Sequence, residues 1–472
     1  MITPYSSMLA AQRVGVDKMV VGKAPERPNR TGVTVEAAVF FDGTLNNRNN
    51  TERRTGVGAA RPSAQAAAIY KRYGEADNSY ANYYSNVAIL EFLNKNIDAN
   101  KRQVSIYVEG IGTINDRGDD MQGYAFGSGF TGVIERVIKG IGLLTERLKK
   151  LPLKKNEYIE RVVIDVYGFS RGAAAARHFV SRKTNLHRFQ IFRTTLGKSL
   201  KIEDPNDIVF RFVGLFDTVS SFQEGHPIAD NLGYHNFNND VSELDLAMGG
   251  TVRKAVHLTA GDEYRSNFAL TTIGSTVQAG KGFELRMPGA HSDIGGGYAE
   301  VEKEERKLGD AKERKWLIDQ GWYAGPDGRE KDIKHWKETR YIATPYGYGG
   351  TSYQVDREVG LRTVPYNYQF IPLAIMIALA EKQSFYGKPA FSRTDPQRQI
   401  RVTVPDDLKP VQAELLNFAL QHDGARSLGV TVPQIKWLRN KYLHRSASGS
   451  IGKGARYVDG LPKRRIIRDT DG

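Results

Sequence analysis

The segment Val162–Ala176 combines a nucleophilic side chain with the local structure that would present it. A run rich in β-branched residues is followed by Gly168-Phe-Ser170-Arg-Gly172 and then by four alanines. This order of strand, tight turn and helix is the context of a nucleophile elbow, in which the serine of a G-x-S-x-G motif lies in a strained turn. Glycines are needed at 168 and 172 because a Cβ there would collide with the neighbouring strand or helix. The segment predicts that Ser170 is a nucleophile rather than only a turn serine.

A serine hydroxyl is a weak nucleophile at neutral pH, so it needs a general base and an acid that orients the base. Among the nine histidines, His291 differs because it lies in a glycine-rich loop directly after a predicted strand. Asp217 directly follows the predicted strand Ile208–Phe216, and α/β sheets hold their sites at the carboxyl ends of strands. The sequence therefore predicts a triad of Ser170, Asp217 and His291. Asp230 is a rival acid, and Asp217 could instead only cap the next helix.

Two backbone N–H groups are candidates for an oxyanion hole beside Ser170. The helix after the serine would direct its first N–H groups, beginning with that of Arg171, at the developing negative charge. The second donor is predicted to be the backbone N–H of Gly43 or Thr44, in the turn after the first predicted strand. Asp42 would brace this loop or form a hydrogen bond near the serine.

Other chemistries are disfavoured by single residues. Asp42-Gly-Thr after an apolar strand is similar to a motif of haloacid-dehalogenase-type phosphatases, but Phe40 occupies the position of their nucleophilic aspartate. The glycines at 295–297 lack the lysine and serine of a phosphate loop, and no H-E-x-x-H motif is present, so no metal or cofactor is expected. Asp293 is only two residues from His291 and is expected to fasten the glycine turn.

The elements that would position these residues alternate between strands and helices. This alternation predicts an α/β fold with a mostly parallel central sheet and helices on both faces. The predicted strands are Val33–Phe41, Val104–Val108, Val162–Val166, Ile208–Phe216, Ala255–Ala260 and Gly282–Met287, the last of them being the last convincing one. The predicted helices are Tyr80–Asn96, Val133–Leu148, Arg171–Val180, Pro372–Lys382, Leu408–His422 and Pro433–His444.

The second half of the chain begins with a charged segment, because 21 of the 39 residues from Glu302 to Arg340 are charged. We interpret residues 301–370 as an insertion that is either a solvated surface helix and loop, or a lid or surface-docking element. The sequence predicts five parts. Residues 1–32 form an N-terminal extension, residues 33–300 form the catalytic core, and residues 301–370 form the insertion. Residues 371–445 form C-terminal helices that complete the core, and residues 446–472 form a basic tail.

Composition limits the class of protein. The chain has 472 residues, a net charge of +14 and no cysteine, which excludes a disulfide framework, a thiolate zinc site and a cysteine nucleophile. The longest apolar stretch, Ile371–Ala380, is about half the roughly 20 residues needed to span a bilayer, and Met1–Gly15 lacks the order of a signal peptide. We therefore expect a soluble protein made in the cytoplasm. A pI near 9.5 suits an anionic partner, either nucleic acid or a lipid surface.

Four segments together resemble a known family. They are Phe40-Phe-Asp-Gly-Thr-Leu-Asn-Asn47, Gly168-Phe-Ser-Arg-Gly-Ala173, Leu215-Phe-Asp-Thr-Val219 and Pro288-Gly-Ala-His-Ser-Asp-Ile-Gly-Gly-Gly-Tyr298. In this order they are similar to the catalytic domain of type VI secretion phospholipase effectors of the first lipase class. The resemblance implies an α/β-hydrolase fold, phospholipase A activity, a secretion spike and an immunity protein as partners, and delivery to a rival bacterium's periplasm. It also implies that Ser170 is the nucleophile, Asp217 the orienting acid and His291 the general base.

The predicted function is that of an antibacterial serine phospholipase A, which hydrolyses acyl esters of membrane glycerophospholipids through an acyl-enzyme. The positive charge by itself does not choose between nucleic acid and lipid, but it agrees with this substrate through attraction to anionic bilayers, and no nucleic acid is expected as a partner. Two alternatives stay open. One is an esterase for soluble or polymeric esters with the same triad, and the other is a non-catalytic secretion or binding module with a relic hydrolase fold.

Overall fold

The computed structural model describes residues 31–57, 64–74, 78–181, 208–220, 244–325, 327–343, 350–383, 390–447 and 454–468. All but the last two residues of the predicted N-terminal extension, and the rival acid Asp230, lie outside the described residues.

Strands are numbered in chain order over the described residues. They are β1 (Thr31–Phe41), β2 (Gln103–Val108), β3 (Glu157–Phe169), β4 (Ile208–Phe216), β5 (Val252–Ala260), β6 (Leu270–Thr271), β7 (Gly282–Met287), β8 (Val301–Lys307), β9 (Ile333–Ala343), β10 (Gly350–Pro365), β11 (Thr394–Asp395), β12 (Ile400–Arg401), β13 (Arg426–Gly429), β14 (Arg456–Val458), β15 (Leu461–Lys463) and β16 (Ile467–Arg468). Seven of them form a parallel central sheet in the order β13-β7-β5-β4-β3-β1-β2. The carboxyl ends of these strands therefore meet at one edge, as parallel strands require.

The α-helices of the described residues are numbered in the same way. They are α1 (Arg48–Thr55), α2 (Ala64–Ile69), α3 (Asn78–Ala81), α4 (Asn86–Leu93), α5 (Met121–Phe126), α6 (Val133–Lys149), α7 (Arg171–Ser181), α8 (Gly274–Gln278), α9 (His291–Gly295), α10 (Ala311–Asp319), α11 (Phe370–Glu381), α12 (Lys409–Gln421) and α13 (Ile435–Lys441). None of the helices in this part of the chain is both long and apolar enough to cross a membrane.

The sheet has a hydrophobic core on each face. Successive side chains of a strand point to opposite faces, so Val39 and Phe41 of β1 pack into one core while Phe40 packs into the other. Helices α6 and α7 cover the first face, and α4 and α11 cover the second. Helix α11 is apolar on nearly all sides because α12 packs on its outer surface. The predicted α/β architecture, with a mostly parallel sheet covered on both faces, is confirmed.

Two predictions about helices and strands are wrong for local reasons: one helix is divided and one strand is missed. The predicted helix Tyr80–Asn96 is divided into α3 and α4, because Ser85 has extended backbone and its hydroxyl accepts a hydrogen bond from Ala88 N (3.1 Å) as the N-cap of α4. Strand β7 is also not the last strand of the sheet, since β13 pairs with it in parallel. The four residues of β13 carry no apolar pattern that would reveal them.

The charged segment is folded differently from the predicted surface helix and loop. Strands β8, β10 and β9 form a three-stranded antiparallel sheet in that order, and α10 lies between β8 and β9 in the chain. The charges are paired across strands: Arg362 of β10 lies opposite Glu304 of β8 and binds it, while Arg357 binds Glu338 of β9. A high density of charge therefore belongs to a β-sheet here, and its role as a lid or docking element stays a prediction.

Candidate active site

Ser170 lies in a strained turn between β3 and α7. Its φ is +57°, in the left-handed region that disfavours a residue with a side chain, and its backbone N donates to Phe216 O (3.0 Å). A Cβ at Gly168 would lie 2.6 Å from Ala173 Cα, and a Cβ at Gly172 would overlap the carbonyl oxygen of Asp42. Gly168 is therefore required for β3 and α7 to pack together, and Gly172 for α7 to pack against the end of β1. This is the geometry of a nucleophile elbow.

Asp217 and His291 meet at the same edge of the sheet. Asp217 directly follows β4 with a φ of +46°, and His291 is the first residue of α9, just past β7. The Nδ1–H of His291 donates to Asp217 Oδ2 (2.6 Å), and the backbone N of Ala260 donates to Asp217 Oδ1 (2.7 Å). This contact fixes the imidazole with Nδ1 as the donor and Nε2 as the available base.

Contacts made by Phe169, the residue before Ser170, place the serine beside Asp217 and His291. Phe169 and Phe216 are paired across β3 and β4, so Ser170 and Asp217 leave adjacent strand ends. The ring of Phe169 packs on His291 with a centroid separation of 4.6 Å. Among the described residues no hydrogen bond joins the Ser170 hydroxyl to His291, and such catalytic contacts commonly tighten only around a bound substrate. The three predicted triad residues are thus brought together, and in the chain order Ser, Asp, His of α/β hydrolases.

Residues 181–320 match the family of type VI secretion system phospholipase effectors described as the Tle1-like catalytic domain. This span contains Asp217 and His291, and Ser170 lies shortly before it. The resemblance to type VI secretion phospholipase effectors is confirmed.

Solved structures add a likeness of fold. The structure of the Tle1 effector bound to the VgrG spike from the type VI secretion system aligns at 21% identity over 93% of this chain and 94% of that chain, with a TM-score of 0.62. Together with the parallel sheet, this likeness confirms an α/β-hydrolase-like fold. A crystal structure of an uncharacterized protein from Pseudomonas aeruginosa aligns at 17% identity over 89% of this chain and 54% of that chain, but its TM-score of 0.37 is too low to support an inference. No curated protein matches the chain.

The surroundings of Asp217 and His291 keep the carboxylate ionised and the imidazole neutral. Burial by itself raises the pKa of Asp217, but Arg465 and His291 outweigh it and hold that pKa well below its usual range. Burial lowers the pKa of His291, and the opposing effect of Asp217 offsets only part of this. His291 is therefore neutral at pH 7 and can accept a proton at Nε2, with a charged carboxylate behind it.

Arg465 is a member of the site that the sequence does not reveal. It belongs to the predicted basic tail, 446–472, together with Lys463 and Arg464, but its side chain is buried and both of its Nη atoms donate to the Asp217 carboxylate. Lys463 and Arg464 are exposed. The sequence does not distinguish Arg465 from these neighbours, because its partner lies 248 positions away.

The loop after β1 distinguishes between the two predicted second donors of the oxyanion hole, Gly43 and Thr44. The N–H of Gly43 donates to Asp42 Oδ1 (2.7 Å), so it is already engaged within the loop, which leaves the Thr44 N–H as the second candidate donor beside that of Arg171. The side chain of Arg171 also holds this loop, because its Nε donates to Thr44 Oγ1 (2.8 Å). The first helical N–H of α7 has no intrahelical acceptor and stays available to a ligand.

Asp42 braces the loop that follows β1 rather than contacting Ser170. The hydroxyls of Tyr107 and Ser85 both donate to its carboxylate, as does Gly43 N. Burial raises the pKa of Asp42 to about 6, although these three hydrogen bonds oppose the change. Of the two roles expected for Asp42, its contacts favour the brace.

Two further carboxylates hold the histidine loop. Asp293 accepts from Ala290 N (2.9 Å) and from His444 Nδ1 (2.7 Å), which fits the expectation that it fastens the turn and does not serve His291. Glu263, which no sequence motif marks, accepts a hydrogen bond from His291 N (3.2 Å) and forms an ion pair with Arg265. No group of three or more residues able to bind a metal ion is found in the part of the chain that the structure describes.

Proposed function

We propose that this chain is a serine phospholipase A that hydrolyses acyl esters of membrane glycerophospholipids. The observation that carries the proposal is the hydrogen bond between His291 Nδ1 and Asp217 Oδ2 beside the elbow that presents Ser170. The match of residues 181–320 to the Tle1-like family supports a phospholipid as the substrate and the type VI secretion system as the route of delivery.

The chemistry follows from the placement of these groups. Ser170 Oγ attacks the acyl carbonyl carbon while His291 Nε2 takes its proton, and Asp217 stabilises the resulting imidazolium. The backbone N–H groups of Arg171 and Thr44 stabilise the tetrahedral oxyanion. Collapse of this intermediate breaks the ester bond, and His291 gives the proton to the departing lysophospholipid alkoxide. Water then attacks the acyl-enzyme, with His291 as the base, and releases the fatty acid.

The partners are proposed on the same basis. The Tle1 effector of the similar structure is bound to a VgrG spike, and we propose that a spike of this kind also delivers this chain to the periplasm of a target cell. A producer of such an enzyme needs protection, so a cognate immunity protein is part of the proposal. The net charge of +14 supports an anionic lipid surface as the substrate, since each exposed basic residue near such a surface contributes roughly 1 kcal/mol.

The decisive experiment is an assay of the purified chain on vesicles of positionally labelled phospholipid. Release of labelled fatty acid by the wild type, and its loss in Ser170→Ala, would support a serine phospholipase A. Hydrolysis of a short soluble ester without any release from vesicles would instead identify a soluble-ester esterase. A chain inactive on both substrates that still binds a spike would identify a non-catalytic module.

A further inference from the structure

The Asp217 carboxylate is bound more tightly than orientation of His291 alone requires. Besides His291 Nδ1 and Ala260 N, it accepts from Nη1 of Arg465 (2.8 Å) and from Nη2 of the same guanidinium. Asp217 is fully buried and Arg465 is only 5% exposed. A carboxylate and a guanidinium matched in this forked way form a strong, charge-assisted contact.

Arg465 is held in place by its own backbone. The residues at 454–468, named here the C-terminal segment, run along the chain that follows β5: Arg456 N donates to Tyr264 O (2.8 Å), Arg465 N to Glu263 O (2.9 Å) and Leu270 N to Ile466 O (3.0 Å). Arg465 points inward between exposed neighbours at 464 and 466. The segment therefore inserts one side chain into the site.

The guanidinium of Arg465 reduces the negative charge that Asp217 presents to His291, on which a Ser-His-Asp triad normally depends. A buried aspartate with no other counter-ion stabilises the imidazolium that forms during the reaction. Here the positive charge of Arg465 offsets that negative charge, which makes protonation of His291 less favourable than it would be beside Asp217 alone. The other charged groups packed around His291 are Glu263, which opposes this effect, and Arg265, which adds to it.

We propose that Arg465 is a positioning residue of the triad, which fixes the Asp217 carboxylate with its fork and, through its charge, weakens His291 as a base. The C-terminal segment is then part of the active site. This inference rests on the proposed function and adds a residue from outside the matched family span to that site.

The test compares three full-length variants on a short soluble ester, with kcat and kcat/KM measured across pH. Arg465→Met removes both fork and charge, and Arg465→Lys keeps the charge and loses the fork. Arg464→Met is the matched control, because that side chain is exposed and pairs only loosely, at 3.9 Å, with Asp262. The acid limb of kcat/KM reports the pKa of the base in the free enzyme.

For Arg465→Met we expect the acid limb to move up by about one pH unit, because a positive charge is removed from the surroundings of His291. For Arg465→Lys we expect the acid limb to stay near that of the wild type, while kcat falls about tenfold because the Asp217 carboxylate, and with it His291, is held less firmly in place. Arg464→Met should match the wild type in both. If Arg465 were merely structural, both Arg465 variants would have a lower active fraction and an unmoved acid limb.

Folding is checked by circular dichroism and thermal unfolding, and Arg465→Gln replaces Arg465→Met if the latter does not fold. The proposal would be overturned if the acid limb stayed unchanged in the neutral variant, Arg465→Met or Arg465→Gln. It would also be overturned if Arg465→Lys shifted the acid limb by the same amount. Ser170→Ala is assayed in parallel. If it keeps the activity, the proposed function fails and this inference with it; if it is inactive while the neutral variant shows the wild-type profile, only this inference fails.

Discussion

Nδ1 of His291 lies 2.6 Å from Oδ2 of Asp217, although the strands that these residues follow do not pair with each other. Strand β5 lies between β4 and β7, and Asp217 reaches across its end. Two features of the chain make this possible. The left-handed backbone of Asp217 turns its side chain along the sheet edge, and the last residue of β5, Ala260, donates its N–H to the same carboxylate.

Replacement of Ser170 by alanine is expected to abolish ester hydrolysis and leave the fold intact. The members of a triad act as a unit, so loss of the nucleophile should lower kcat by roughly 10⁴-fold or more. The hydroxyl makes no hydrogen bond to His291 in the structure, so its removal should cost little stability. Rates on phospholipid vesicles and a soluble ester, with the thermal midpoint as control, test this. His291→Ala should be nearly as inactive, and retention of most activity by either variant would remove the assignment.

Asp217→Asn is expected to lower kcat by roughly 10⁴-fold, because asparagine cannot hold the required histidine tautomer or stabilise the imidazolium. It also breaks the buried ion pair between Asp217 and Arg465, which should cost about 3–5 kcal/mol of stability. The double variant Asp217→Asn/Arg465→Met should recover part of that stability and none of the activity. Asp293→Asn and Asp230→Asn should affect activity less. An inactive Asp230→Asn beside an active Asp217→Asn would assign the acid to Asp230.

The acid limb of kcat/KM should lie below pH 6.5, the value for an unperturbed histidine, because burial lowers the pKa of His291 more than Asp217 raises it. His291 acts as a base only when neutral, so a lowered pKa extends activity toward acid. The measurement is a pH profile of the wild type on a soluble ester between pH 4 and 9, with stability followed over the same range. A midpoint above pH 7 would contradict this reading of the site.

Ser170, Asp217 and His291 could be singled out from the sequence because each stands at the end of a recognisable strand or in a glycine turn, and parallel strands end at one edge. Strand β4 was predicted with its observed bounds, since its apolar run is buried on both faces. Arg465 could not be predicted in this way, because its burial depends on a partner far away in the chain.

The elements that were missed share one physical cause. Strand β13 lies at the edge of the sheet with little buried surface, and β9 and β10 satisfy their charges by cross-strand pairing. In both cases the stabilising partner is another strand, so the sequence of the strand itself carries a weak signal. The Gly43 N–H is a similar case, because its engagement by Asp42 depends on the turn adopted by the loop.

The proposed site of action predicts that toxicity appears only when the enzyme reaches the periplasmic face of a membrane. Fusion of the chain to a secretory signal should make the wild type lethal to a host without the immunity protein, while the same fusion of Ser170→Ala should be tolerated. Expression without the signal should be harmless in both cases. Colony counts after induction, with equal protein amounts checked by immunoblot, test this, and equal killing by both fusions would indicate a non-hydrolytic mode of toxicity.

The final prediction concerns the exposed positive charge. A lipid-directed enzyme must first concentrate at the bilayer, and the attraction between exposed charges weakens as the screening length falls from about 10 Å at 0.1 M salt to about 3 Å at 1 M. We therefore expect added salt to lower hydrolysis of anionic vesicles much more than hydrolysis of a soluble ester. The double variant Lys463→Ala/Arg464→Ala should reproduce part of this loss at low salt.

Arg465 has to stay in that variant, since its replacement would disturb Asp217 and confuse docking with catalysis. Lys149→Ala/Lys150→Ala is the matched control: it removes the same charge at exposed positions, but at the end of α6, near the start of β3 and so at the edge of the sheet opposite Ser170. If the two double variants lose equal activity on vesicles, net charge alone drives docking and the C-terminal segment has no special part in it. If neither differs from the wild type and both substrates respond alike to salt, electrostatic docking is the wrong explanation of the +14 charge.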